Sequence, residues 1–240
     1  MLAGVIFDKD GTLFDFQRTW GSWAQRALAR LARGDDTTCQ RLSDAVRFDR
    51  LLGRFHADSP AIAGTNAEIA IILAAELPER SEEEVLLELN GMAQCVTLSE
   101  ATPLVPFLSG LAGSGLRLGV ATNDTEDAAR AHLQSAGALS HFDQVFGYDS
   151  GYGAKPDPGM LYAFCDFEGL DPSTVIMVGD STHDLRAGRA AGMKTIGVLT
   201  GMATEPDLAP LADEVLPDIG QMMQGRLVAE MTAPAQRERA

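Results

Sequence analysis

Positive charge is scarce in this chain. Its 34 acidic residues face 19 lysines and arginines, a formal net charge of −15. Nucleic acid and anionic membranes need a basic footprint that such a balance does not supply, so neither is an expected partner. Lysine is nearly absent, with only Lys9, Lys155 and Lys194. Cysteine is rare too: Cys39, Cys95 and Cys165 are odd in number and share no Cys-x-x-Cys spacing. Neither a disulfide framework nor a zinc site is indicated, and the three read as small buried hydrophobes. The apolar stretch IAIILAAEL falls well short of the ~20 residues that span a bilayer. The first apolar segment runs into Asp8 with no basic leader or small-residue cleavage site, so no secretory signal and a cytoplasmic location are expected.

The basic residues that exist are clustered. Between Phe16 and His56 lie eight arginines (Arg18, Arg26, Arg30, Arg33, Arg41, Arg47, Arg50 and Arg54) against four acids (Asp35, Asp36, Asp44 and Asp49). A basic segment in an acidic protein can draw in an anionic substrate, although arginines also decorate solvated helix faces.

With 45% hydrophobic residues, 240 residues can bury one good core, or one core and a smaller satellite. Residues 4–8 read as a short buried strand. Over 17–33, Trp20, Trp23, Ala24, Ala27, Leu28 and Leu31 recur at helical spacing opposite Arg26, Arg30 and Arg33. The same pattern predicts a helix over 42–55, with Phe48, Leu51, Leu52 and Phe55 as one stripe and Arg47, Arg50 and Arg54 as another. Thr65 with Glu68 and Ser81 with Glu84 have capping-box spacing and open two further helices. Residues 16–100 are therefore expected to be an all-helical insert. From Thr102 the pattern alternates strand and helix, the signature of a parallel sheet with crossover helices. Strands are expected at 116–121, 144–148, 174–179, 195–199 and 214–216. Helices are expected from Asp124 or Thr125 to Gly137, from Pro158 to Gly169 and from about Thr182 to Gly192.

The segment GVIFDKDGTLFD sets Asp8 and Asp10 at the end of the first strand. Residues two apart on an extended chain point the same way, so both carboxylates lean toward one spot. Like charge disfavours their double ionisation unless a cation lies between them, which points to a metal-assisted carboxylate site. By the same alternation Lys9 points away and reads as structural. In an open parallel sheet the functional crevice lies beyond the carboxyl ends of the strands. There the chain places Thr122-Asn123-Asp124, Lys155-Pro156 and Gly179-Asp180-Ser181-Thr182-His183-Asp184. Together these loops offer acids for a metal, a carboxylate free to attack, a hydroxyl, a helix N-terminus suited to an oxyanion, and one lysine. Such parts suit phosphoryl transfer. His183 reads as a surface or capping residue.

In order and spacing, GVIFDKDGTLFD, GVATND, AKPDPGM and VIMVGDSTHD resemble the four motifs of the haloacid dehalogenase superfamily. The insert after the first motif resembles the α-helical cap of the subgroup that includes phosphoglycolate phosphatases. The resemblance implies an α/β fold: a Rossmann-like three-layer core of residues 1–15 and 101–232 with a mostly parallel sheet, and a helical cap over 16–100; past Gly220 the residues themselves read as a weak helix fading into a disordered tail at 233–240. It further implies Mg²⁺ as cofactor and a small anionic phosphate ester as substrate. Asp8 would be the nucleophile and Asp10 the acid and base. Asp8, Asp180 and the backbone carbonyl of Asp10 would hold the metal, with Asp184 supporting them from behind or through water. Thr122, the Asn123 backbone and Lys155 would hold the phosphate; Gly11 would permit the turn and Thr12 would orient Asp10.

An acid at position 10 favours a phosphatase over a dehalogenase, because only a poor oxygen leaving group needs a proton. The insert has no lysine, which argues against phosphonoacetaldehyde hydrolases, with their cap Schiff base, and weakens a sugar-phosphate mutase or phosphotransferase reading. A phosphoaccepting signalling domain, the remaining alternative, has its acids on separate strands and no insert. Arg26, Arg47, Arg50 and Arg54 are expected to read an acidic leaving group. Phe16 and Phe107 depart from the phosphoglycolate-phosphatase pattern.

Overall fold

The computed structural model describes residues 1–62, 64–93 and 96–232. The four residues of β1 (Gly4–Phe7) are all buried, as a strand covered on both faces must be. After β1 the chain leaves the sheet for α1 (Phe16–Leu31), α2 (Asp36–Ala45), the two-residue strands β2 (Phe48–Asp49) and β3 (Arg54–Phe55), α3 (Asn66–Ala75) and α4 (Glu82–Ala93). It returns as α5 (Leu104–Gly113), β4 (Arg117–Ala121), α6 (Glu126–Ser135), β5 (Gln144–Phe146), α7 (Gly159–Glu168), β6 (Val175–Gly179), α8 (Thr182–Ala190), β7 (Lys194–Val198), α9 (Glu205–Leu208), β8 (Glu214–Leu216) and α10 (Arg226–Thr232).

The six main strands form a parallel sheet in the order β5-β4-β1-β6-β7-β8. Strand alternation divides the core into two layers. Val5 and Phe7 pack on one face with Leu104, Leu108 and Leu111 of α5 and Leu133 of α6, while Ile6 packs on the other with Met160, Leu161 and Phe164 of α7. Phe7 lies opposite Val120 on β4 and Val178 on β6, so the carboxyl ends of the three central strands finish level. The sheet order reverses around β1, and ligand crevices form at such points.

The insert has a core of its own, built from Phe16, Trp20, Leu28 and Leu31 of α1 with Leu42, Phe48, Phe55, Leu73 and Leu89. The chain crosses to and from it along two adjacent paths: Asp15 N–H donates to Ser99 O at 2.8 Å and Ala101 N–H to Leu13 O at 2.9 Å.

The helix expected over 42–55 is not formed. α2 stops at Ala45, Arg47 adopts a left-handed φ of 55°, and the Asp49 carboxylate accepts from Leu51 N–H and Leu52 N–H, each at 2.9 Å. That local bond makes a turn in place of a helix. A short antiparallel hairpin results, with Phe48 and Phe55 paired across it at 4.9 Å between ring centroids. Leu51, expected in the buried stripe, is 98% exposed. The cap is thus helical with one hairpin.

Cys39 and Cys165 are buried; Cys95 and the expected tail at 233–240 lie outside the described residues. Among the described residues no helix is long and apolar enough to cross a membrane.

Candidate active site

Asp8 is the first residue past β1, and its N–H still bonds Val178 O at 2.9 Å, so the sheet ladder fixes it. Gly11 turns the chain away at φ 89°, and a Cβ there would collide with the Asp180 carboxylate. A Cβ on Gly201, in the loop after β7, would collide with the same group. The two glycines let backbone close around Asp180 from both sides. Asp180 directly follows β6, and Asp184 sits in the first turn of α8, where it completes a capping box with Ser181. Lys155 comes from the loop between β5 and α7. The Asn123 side chain clasps that loop, donating to Lys155 O at 3.0 Å and accepting from Lys155 N–H at 2.8 Å. Thr122 is buried at the end of β4, and its hydroxyl accepts from Asp124 N–H at 3.1 Å. Thr12, expected to orient Asp10, instead donates to Asp180 Oδ1 at 3.2 Å, just past the turn that Gly11 makes.

Carboxylate oxygens of Asp8, Asp180 and Asp184 lie within 4.8 Å of one another, all buried. Lys155 Nζ is 2.6 Å from Asp8 Oδ1 and 2.6 Å from Asp184 Oδ1. Burial pushes the Asp8 carboxyl up to about 7; Lys155 opposes the shift, and Asp184 and Asp10 add to it. Burial, then Asp8 and Asp184, raise Asp180 well above the usual carboxylate range. Burial would lower Lys155, but Asp184 and Asp8 outweigh it and hold the ammonium above the ordinary lysine value. One lysine among three buried acids leaves negative charge uncompensated, and an all-oxygen donor set of this kind suits a hard divalent cation.

The Asp10 side chain is turned elsewhere. Its Oδ1 accepts the indole N–H of Trp20, a cap residue on α1, at 2.6 Å, and its Oδ2 pairs with Lys9 Nζ at 2.5 Å. Lys9 does not point away as strand alternation predicts. The extended geometry ends with β1, and the turn that begins at Lys9 carries its side chain inward. There it is fully buried, 3.1 Å from Asp124 Oδ2 and 3.0 Å from His132 Nδ1, with its ammonium 5.4 Å from the Trp20 ring centroid. Burial and the neighbouring Lys9 lower the His132 pKa. A neutral imidazole protonated at Nε2 satisfies both its contacts, accepting from Lys9 and donating to Ala93 O at 2.8 Å. The surroundings of Asp10 therefore span cap and core.

Trp20→Phe keeps most of the packing and deletes one hydrogen bond to a carboxylate, a change of about 1.5–3 kcal/mol. On the phosphoryl chemistry that the sequence resemblance implies, kcat is expected to fall about ten- to hundredfold with KM little changed, measured by steady-state phosphate release. A change confined to KM would contradict a role for this bond in holding Asp10.

A single cavity joins these parts. On the core side it is lined by Asp8, Asp10, Thr122, Asn123, Asp124, Lys155, Asp180, Ser181, His183 and Asp184, and on the cap side by Phe16, Trp20, Trp23, Phe55, Ala61, Ile62, Gly64, Asn66 and Ile69. His183 thus faces the cavity, whereas its neighbour Asp184 was the residue the sequence marked out. The cap arginines do not line it: Arg47 pairs with Asp58 at 2.7 Å, Arg50 pairs with Asp36 at 2.6 Å, and Arg26 and Arg54 are exposed. Alternation along β3 sends Phe55 inward and Arg54 out. Phe16 forms part of the cavity wall, and Phe107 packs edge-on against Phe7 at 6.0 Å.

Residues 2–192 match the family of haloacid dehalogenase-like hydrolases. The chain is 32% identical over 219 residues to the "Probable phosphatase IndB" of Dickeya dadantii, covering 89% of this chain and 88% of that protein. It is 31% identical over 214 residues to the phosphoglycolate phosphatase of Rhodospirillum rubrum, covering 86% and 83% respectively. Its fold resembles the crystal structure of a predicted phosphoglycolate phosphatase from Haemophilus somnus, with a TM-score of 0.69 at 21% identity over 93% of this chain and 97% of that one.

Proposed function

We propose that this chain, which belongs to the haloacid dehalogenase-like hydrolases, is a Mg²⁺-dependent phosphatase that cleaves small phosphomonoesters through a phosphorylated Asp8. The observation that carries the reading is the buried trio Asp8, Asp180 and Asp184 bridged by Lys155. A carboxylate oxygen of Asp8 attacks phosphorus in line, and the bond to the ester oxygen breaks. Asp10 gives its proton to the departing alkoxide, then takes one from the water that attacks the phosphorus of the acyl phosphate, releasing inorganic phosphate and free Asp8. Lys155, Thr122 and the Asn123 backbone hold the non-bridging oxygens. Asp8, Asp180 and the Asp10 backbone carbonyl would hold Mg²⁺, with Asp184 supporting them, and the ion would supply the positive charge that lets an anionic phosphate approach an anionic nucleophile. The test is a panel of small phosphomonoesters, phosphoglycolate among them, assayed for phosphate release with and without Mg²⁺. We expect Mg²⁺-dependent release from at least one; release from none sinks the reading.

The site also predicts how metal affects stability. The Asp8 carboxyl, raised from 3.8 to about 7, binds its proton more tightly folded than unfolded. The stability it lends is therefore present below pH ~4 and is lost as pH rises to ~7. Metal needs the ionised acids, so Mg²⁺ should raise the melting temperature more at pH 8 than at pH 5. Saturation to a hundred times Kd stabilises by about 2.7 kcal/mol. Calorimetry at the two pH values checks this, and an equal shift at both would contradict it.

A further inference from the structure

We infer that the alcohol released from this site is uncharged and has a planar, apolar body, and that a leaving group with its own anionic group is disfavoured. The inference rests on the phosphatase reading above and deepens it to a substrate class. Facing the phosphate end of the cavity, the cap presents Phe16, Trp20, Trp23, Phe55, Ile62 and Ile69. Trp20 and Trp23 meet edge to face at 5.1 Å between centroids, and Phe16 and Phe55 are tilted at 5.7 Å. A flat apolar group gains both area burial and ring-on-ring contact against such a wall.

An anionic leaving group finds no counter-ion there. Among the described residues Lys155 is the only lysine or arginine lining the cavity, and it lies on the phosphate side between Asp8 and Asp184. The one cap amide in the wall, Asn66, spends its Nδ2 donors on Asn90 Oδ1 and Asp124 Oδ1, each at 3.0 Å. A carboxylate on the cap side would lie against rings and near Asp10, desolvated and unpaired, which is costly. Few polar atoms in the wall are left without a hydrogen-bond partner. Trp23 Nε1 is buried without a partner, and across the cavity so is His183 Nδ1. An uncharged leaving group bearing a hydrogen-bond acceptor would satisfy the Trp23 N–H.

The experiment compares kcat/KM for benzyl phosphate and phosphoglycolate on the full chain with Mg²⁺, since both release primary alkoxides and differ in the body attached. We expect benzyl phosphate to be favoured by about tenfold or more. Ile62→Lys adds the missing cation and is expected to shift the preference toward phosphoglycolate by about tenfold, with its melting curve as the check on folding. Phosphoglycolate turned over as well as benzyl phosphate by the native protein overturns the inference and leaves the phosphatase reading intact. Release from an aliphatic ester such as glucose 6-phosphate but from neither test ester does the same. Release from no ester overturns both.

Discussion

Asp8→Asn is expected to lower phosphate release by at least about 10⁴-fold, because an amide oxygen cannot replace a carboxylate as the attacking group. The same change should leave the metal-free protein as stable at pH 8, or more so. Burial raises the Asp8 carboxyl to about 7, so above that pH the folded chain bears the cost of an ionised group that it would rather keep protonated. Asparagine has the same shape and no charge, and it removes that cost. Lys155 keeps its partner in Asp184 at 2.6 Å, so the replacement strands no lysine. Loss of turnover together with an unchanged or higher melting temperature would separate a chemical role from a structural one. A variant that melts well below the native protein would point to Asp8 as a framework residue.

Lys155→Met should damage both properties. Lys155 is 5% exposed and bonds two of the three clustered acids. Removing one partner of a buried ion pair typically costs about 3–5 kcal/mol, because the charges left behind are desolvated and unpaired. Methionine fills the stem's space, so the loss reports charge more than packing. The destabilisation should be larger at pH 8 than at pH 5, where the acids can take up protons, and added Mg²⁺ should recover part of it. Turnover should fall about 10²–10³-fold, the usual scale for loss of one electrostatic contact to a transferring group. Urea unfolding at the two pH values checks the first expectation, and equal losses at both would contradict the electrostatic account.

The sheet was readable in the sequence because its signals are local: GVIF, VIMVG and their relatives are short apolar runs closed by turn residues, and every strand expected after Thr102 is present within a few residues. The helices ending at Gly137, Gly169 and Gly192 were legible from their terminal glycines, all three of which have positive φ. α5 was not announced, since Pro106 and the glycines of LVPFLSGLAG mask the spacing of Leu104, Leu108 and Leu111. The stripe at 42–55 had helical spacing, but one Asp49 side chain capturing two backbone N–H groups outweighed a periodicity that carries little energy over so few residues.

The loops after the strands were legible as a cluster because a parallel sheet collects its strand ends at one edge. What one segment does to another was not. The bond from Trp20 to Asp10 depends on how cap and core meet, and the burial of Lys9 beside His132, the redirection of Thr12 to Asp180 and the closeness of Gly201 to Asp180 depend on how core segments far apart in sequence come together. The arginine cluster misled for the same reason: its count was visible, and the outward facing of Arg26 and Arg54 and the pairing of Arg47 with Asp58 and Arg50 with Asp36 were not.

Asp8 as the site of phosphorylation is tested most directly by trapping it. The native protein is mixed with Mg²⁺ and a turned-over phosphomonoester, quenched in acid within a turnover and reduced with borohydride, which converts an aspartyl phosphate to homoserine. Peptide mass mapping then reads each acid. Homoserine at position 8, dependent on substrate and lost in Asp8→Asn, is the predicted result; homoserine at Asp10, Asp180 or Asp184 with none at position 8 would contradict it.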